Sequence, residues 1–200
     1  MKIKNPSIKI IYDVANFHKN AEEYKKAIKY YDQIITKIDV NSQLYAEILY
    51  RRGSSYERLG DYSNSDKDLL KSLEINPDDA FVLNYLAYSW LERKYKINLS
   101  LQMLEKAYTA RSSDPYIIDS IGWAYYLIDD YIKAENYLKR AVELMPGDPI
   151  VNDHYGDILW MLNRKIQARY FWGNVLNSKE TEDEMKKNIK KKLIVGLVNF

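Results

Sequence analysis

The chain has 200 residues, no cysteine, 46% hydrophobic residues and a formal net charge of +2. It is long enough to bury a core unaided, and the missing cysteine excludes disulfides, thiolate metal ligands, cysteine nucleophiles and lipid-bearing cysteines. So small a net charge excludes bulk attraction to nucleic acid or membrane and leaves only a local patch for such a role.

The N-terminal stretch MKIKNPSIKIIYDVANFHKN carries lysines, but its apolar run is broken by Tyr12 and Asp13 and no small-residue cleavage site follows, so no signal peptide is read. No later stretch approaches the ~20 apolar residues that span a bilayer, and a soluble protein is expected. From residue 8 onward the chain repeats itself. YERLGDYSNSDKDLLKSLEINPDD and YYLIDDYIKAENYLKRAVELMPGD share one layout, and Gly53, Ala87, Gly122 and Gly156 follow each other at steps of 34, 35 and 34, with Ala15 in the same role 38 residues before Gly53. Each unit holds two apolar-periodic segments around a short polar turn, the spacing of a helix pair. The pairs are placed at 8–41, 46–79, 80–114, 115–148 and 149–182, in one domain over 1–200. Asp114-Pro115 and Asp148-Pro149 each set an N-cap acid before a proline at the first helical position. Strand signals are missing: neither sustained alternation nor an Asn-Gly or Asp-Gly hairpin occurs.

After the fifth unit, TEDEMKKNIKKKL predicts a capping helix over 181–195, with Thr181 and Glu184 in capping-box spacing and Met185, Ile189 and Leu193 on one side. Glu182 with Lys186 and Asp183 with Lys187 are expected as i,i+4 pairs worth ~0.3 kcal/mol each. The lysines at 186, 187, 190, 191 and 192 are read as a solvated outer face, and the apolar tail LIVGLVNF as docking on the fifth unit.

The stretch VNDHYGDILW raises the question of chemistry. Asp153 and Asp157 lie one helical turn apart with His154 beside them, a geometry that could hold a metal ion or do acid-base work. The other histidine, His18, is four repeats away and reads as a core residue in place of tyrosine; no third ligand, nucleophile elbow or glycine-rich phosphate loop accompanies the triplet. Acids early in a helix are also favoured by its dipole. No cofactor, metal or small-molecule substrate is expected, and a metal-dependent enzyme centred on His154 ranks last among the alternatives.

These residues resemble the tetratricopeptide repeat. In the fourth unit Ile118, Ile121, Gly122, Tyr125, Tyr131, Ala134, Leu138, Ala141 and Pro146 fall on the family positions in order. The second unit departs with Arg52 at an apolar position and Ser65 and Ser72 at alanine positions, the third has an extra residue between its helices, and the fifth has Lys165 in place of an aromatic. Residues 80–178 are similar to the C-terminal repeats of longer proteobacterial scaffold or adaptor proteins of this family, so the compartment stays open: cytoplasmic as the chain stands, periplasmic if it is part of an exported protein. The resemblance implies an all-α, right-handed superhelical solenoid of about five helix pairs plus a capping helix.

It also implies a groove lined by the first helix of each unit. The first unit would contribute Tyr12, Asp13 and Asn16, and the second Tyr50, Arg51 and Arg58. Phe81, Asn84, Tyr85, Tyr88 and Leu91 follow from the third. Tyr116, Asp119, Ser120, Trp123 and Tyr126 come from the fourth, then Asp153, His154, Asp157 and Trp160 from the fifth. Rings interspersed with Asn and Asp suit a protein interface. The expected function is a non-catalytic scaffold or adaptor that binds a polypeptide segment of apolar or aromatic and partly basic character, in preference to an acidic tail. Self-association through the groove or the apolar tail is the alternative, and neither nucleic acid nor membrane is an expected partner.

Overall fold

The computed structural model describes residues 6–197. They form eleven helices, with no strand among the described residues: α1 (Ile8–Asn20), α2 (Tyr24–Ile35), α3 (Gln43–Arg58), α4 (Tyr62–Ile75), α5 (Ala80–Glu92), α6 (Ile97–Ala110), α7 (Pro115–Leu127), α8 (Tyr131–Leu144), α9 (Pro149–Met161), α10 (Lys165–Asn177) and α11 (Asp183–Val195). They group into two compact units, Met1–Ser89 and Trp90–Phe200, with the boundary inside α5.

Local chemistry sets the helix ends. The Asp114 carboxylate accepts from the Tyr116 and Ile117 amides at 3.1 and 3.4 Å, and Asp148 accepts from Ile150 and Val151 at 2.9 and 3.1 Å. Each acid satisfies donors that the first turn leaves open, and the proline after it has no N–H to satisfy. α3 begins three residues ahead of the predicted 46 because the Ser42 hydroxyl accepts from the Tyr45 amide at 3.1 Å. Between the helices of each pair the chain turns through a left-handed residue: Glu22, Gly60, Lys94, Asp129 or Asn163. The extra residue of the third unit adds a second one, Lys96, directly before α6.

Within Met1–Ser89, α1 packs on α2, α2 on α3, and α3 on α4. Ile11, Ala15, Ala27, Tyr31, Ile34 and Ile48 form a buried cluster. Arg52, the anomaly of the second unit, is a half-buried joint onto the buried Asp68. Its guanidinium donates to both Asp68 oxygens at 2.7 and 2.8 Å and to Asp32 at 2.7 Å, tying α3 to α4 and α2. Ser72 donates to the Ala46 carbonyl at 2.9 Å, so the alanine-position serine satisfies its hydroxyl inside the pair. His18 is half-buried, stacks on Tyr30 and meets the Glu23 carboxylate at 2.5 Å.

Within Trp90–Phe200, α6 packs on α7, α7 on α8, α8 on α9, α9 on α10, and α10 on α11. The pairs close at the glycines. A Cβ on Gly122 would stand 2.7 Å from Leu138, and one on Gly156 2.5 Å from Trp172. In the other unit Gly53 faces Leu69 in the same way, at 3.0 Å.

The C-terminal segment departs from expectation in three respects. Thr181 does not cap α11; its buried hydroxyl donates to the Val175 carbonyl at 2.6 Å, and Glu182 takes the N-cap position without a side-chain bond. The lysine pairs form at i,i+3, Lys186 with Asp183 at 3.8 Å and Lys187 with Glu184 at 3.3 Å, instead of i,i+4. The lysine run is not wholly solvated, since Lys192 is turned inward. Of the tail, Gly196 lies buried against Trp160 while Ile194 and Val195 are exposed; residues 198–200 lie outside the described ones.

The two glycines of the fifth unit have opposite fates on substitution. Gly156→Ala drives a methyl into a buried indole held on its other side, and is expected to lower the unfolding free energy by ~1–3 kcal/mol. Gly173→Ala, in mid-helix with nothing within 4 Å of the new Cβ, should raise it by ~0.5–1 kcal/mol. Urea denaturation of both variants measures the contrast.

Candidate functional site

In three places the unit register brings the fifth position of one first helix against the sixth position of the next. Tyr12 of α1 lies under the Arg51 guanidinium at 5.3 Å, and Tyr50 of α3 meets Tyr85 of α5 edge-on at 5.8 Å. Asp119 of α7 accepts from His154 of α9 at 2.9 Å. The residues assigned to the groove are therefore also the contacts that join successive first helices.

In Met1–Ser89 the polar tips are anchored. The Tyr12 hydroxyl donates to Glu47 at 2.5 Å, Arg51 donates to the same carboxylate, and Tyr85 donates to Glu57 at 2.9 Å. Asn16 accepts from the Tyr31 hydroxyl at 2.7 Å, and Arg58 donates to Tyr24 at 3.3 Å. Burial, with the Glu57 carboxylate, pushes the Tyr85 phenol well above its usual range. Asp13 and Phe81 are exposed; Asn84, Tyr85 and Tyr88 are half-buried.

In Trp90–Phe200 the groove assignment needs correcting for five residues. Leu91, Ser120, Asp119, His154 and Asp157 are buried; Asp119 and His154 cover each other where α7 meets α9, and Asp157 lies under Trp172 and Lys192. Ser120 donates to the Tyr116 carbonyl at 2.9 Å. Tyr116 stays exposed, while Trp123, Tyr126, Asp153 and Trp160 are half-buried. Three rings form a stack: Tyr126 on Trp123 at 4.6 Å and Trp123 on His154 at 4.1 Å, both nearly parallel. Asp119 thus holds His154, and His154 supports the half-buried Trp123 indole.

The triplet of VNDHYGDILW is divided among separate partners. His154 turns to Asp119, whereas Asp153 and Asp157 turn to α11. There the Lys192 ammonium donates to Asp153 at 2.6 Å and to both Asp157 oxygens at 2.7 and 2.9 Å. The Trp172 indole N–H donates to Asp157 at 2.9 Å. Among the described residues no group of three His, Asp or Glu side chains is arranged to hold a metal ion. Trp160 is flanked by the Lys165 and Arg169 cations at 5.1 and 4.9 Å and carries Gly196 on its ring. The sequence pattern gave no role to Glu47 and Glu57, which anchor the tyrosines in Met1–Ser89, nor to Trp172 and Gly196, which pack with Asp157 and Trp160 in Trp90–Phe200. Lys165, cationic at an aromatic position, was the one hint that the Trp160 ring needed a cover.

Residues 46–79 and 117–148 match the family model described as "Tetratricopeptide repeat", on the second and fourth units. The chain carries tetratricopeptide repeats. Over 110 residues it is 33% identical to the "TPR repeat-containing protein PA4667" of Pseudomonas aeruginosa, an alignment that takes in 55% of this chain and spans 18% of that relative's length. Among solved structures, MamA from Desulfovibrio magneticus RS-1 matches with a TM-score of 0.70 at 20% identity over 88% of this chain and 97% of that one. The thermophilic protein TTC0263 from Thermus thermophilus matches with a TM-score of 0.74 at 15% identity over 94% and 100%. At such identities the likeness is one of fold. Tetratricopeptide repeats build protein-interaction scaffolds in general, and no helix among the described residues is long and apolar enough to cross a membrane.

Burial and the neighbouring Asp153 charge push the Asp157 carboxyl up to about 7, against the pull of Lys192 and His154. For His154 burial disfavours the imidazolium, but the Asp119 carboxylate outweighs it, with Asp153 and Glu92 adding to the effect, and the net shift is upward. Both groups hold protons in the fold that they would release when unfolded, so stability falls as pH rises. The Asp157 contribution is lost between its ordinary value of 3.8 and about 7. The His154 contribution is present below 6.5 and lost above it, through the raised value. The unfolding free energy should accordingly be higher at pH 5 than at pH 8 in urea titrations, and Asp157→Asn should flatten the lower part of that slope.

Proposed function

We infer that the protein is a non-catalytic adaptor whose first-helix face grips a polypeptide segment. The observation that carries this reading is the stack of Tyr126, Trp123 and His154, with exposed Tyr116 two turns before Trp123 on α7. A ring held between two others loses little freedom on binding, and aromatic anchors with polar neighbours supply much of the energy at protein interfaces. Nearby acids favour a segment with basic character over an acidic tail.

Peptides selected on the wild-type chain from a random display library should be apolar or aromatic with basic residues. Trp123→Ala combined with Tyr126→Ala should weaken them at least tenfold in calorimetric titrations, with the helical circular dichroism unchanged. Ligands that bind the double variant as tightly as the wild type would defeat this reading.

Self-association is favoured by a different observation, the exposure of Ile194 and Val195 at the end of α11. It predicts a mass in light scattering that rises with concentration, and removal of residues 193–200 should abolish that rise.

A further inference from the structure

α11 anchors itself through the buried Ile189, but its last turn is ill suited to a permanent cap. The Lys192 side chain is 15% exposed, while Ile194 and Val195, two and three residues on, are 79% and 52% exposed. Withdrawing an ammonium from water is costly, and only good geometry with both carboxylates offsets it. A leucine or methionine would seal the end of the last repeat without that cost. The site is also shaped for a chain crossing it. Beyond the two carboxylates Gly196 lies flat on the Trp160 ring, where a Cβ would come within 1.9 Å of the indole. A cavity of about 530 Å³, lined in part by Asp153, Met185, Asn188, Lys192 and Gly196, remains beside this contact, so α11 does not fill the space it covers.

We propose that Asp153, Asp157 and Trp160 of α9 form a lysine-reading docking site, that α11 closes it with the chain's own Lys192, and that its partner is a polypeptide segment whose lysine takes Lys192's place. The partner chemistry follows from charge complementarity. Two carboxylates face one ammonium, so a basic segment fits where an acidic one is repelled. A small residue one turn beyond the lysine would cross the Trp160 ring as Gly196 does. This deepens the adaptor reading and rests on it, adding an in-chain competitor at the last repeat.

The probe is a fluorescent synthetic peptide of residues 181–197 of this chain, titrated against full-length protein. The wild type, with its site closed, should bind it at least tenfold more weakly than a variant opened by Lys192→Ala and Gly196→Ala. Acetylating the ammonium of the peptide's own Lys192 should cost at least tenfold in affinity for the opened variant, as should Asp153→Asn with Asp157→Asn in the protein. If the doubly amidated protein fails to fold, the acetylated peptide still decides the matter. Equal binding by closed and opened proteins, or indifference to acetylation, would overturn the proposal. Indifference here, alongside display ligands that are lost on Trp123→Ala with Tyr126→Ala, would refute this site and leave the adaptor reading intact.

Discussion

The two helices of a unit close only where a residue with almost no side chain faces a large one across the pair. Gly53 meets Leu69, Gly122 meets Leu138 and Gly156 meets Trp172, each so closely that a methyl group would intrude. Ala15 and Tyr31 occupy the corresponding positions in the first buried cluster. Because interiors are packed near crystalline density, such contacts admit one register and resist small displacements. Once the register of each pair is set, so is the azimuth of its first helix, and with it the meeting of the fifth position of one unit with the sixth of the next. The aromatic stack and the buried acid pairs follow from that glycine constraint.

What the sequence made legible is what local chemistry decides. The glycine steps, the aspartate and proline starts and the polar turns each depend on residues within a few positions of one another, and they located the helix pairs. The inner side of the last repeats was read less well because its outcome depends on residues 35 to 39 apart, such as Asp119 with His154 and Asp153 with Lys192. Nothing in a run of five nearby lysines distinguishes the one that turns inward. Gly196 had no local reason to be glycine; its reason is the Trp160 ring. Thr181 and Glu184 have capping-box spacing, yet the threonine hydroxyl found a buried carbonyl instead.

Charge largely withdrawn from water on at least one side of the contact recurs at the joints between helix pairs. Arg52 links α3 to Asp32 of α2, His154 links α9 to Asp119 of α7, and Lys192 links α11 to two acids of α9. By free energy alone these are poor choices, since well-packed apolar residues of similar volume often do as well or better. Their effect lies in what they forbid. An apolar seam between two helices can slide by a turn and find new apolar partners, whereas a charge displaced by a turn is left buried and unpaired, at a cost of ~3–5 kcal/mol. The same property makes the last joint exchangeable. A site that punishes any vacancy accepts another ammonium in place of the one it holds, and it discriminates sharply against everything else. Register control inside the chain and selectivity toward a basic segment outside it are thus two uses of one electrostatic arrangement, differing only in whether the lysine is covalently attached.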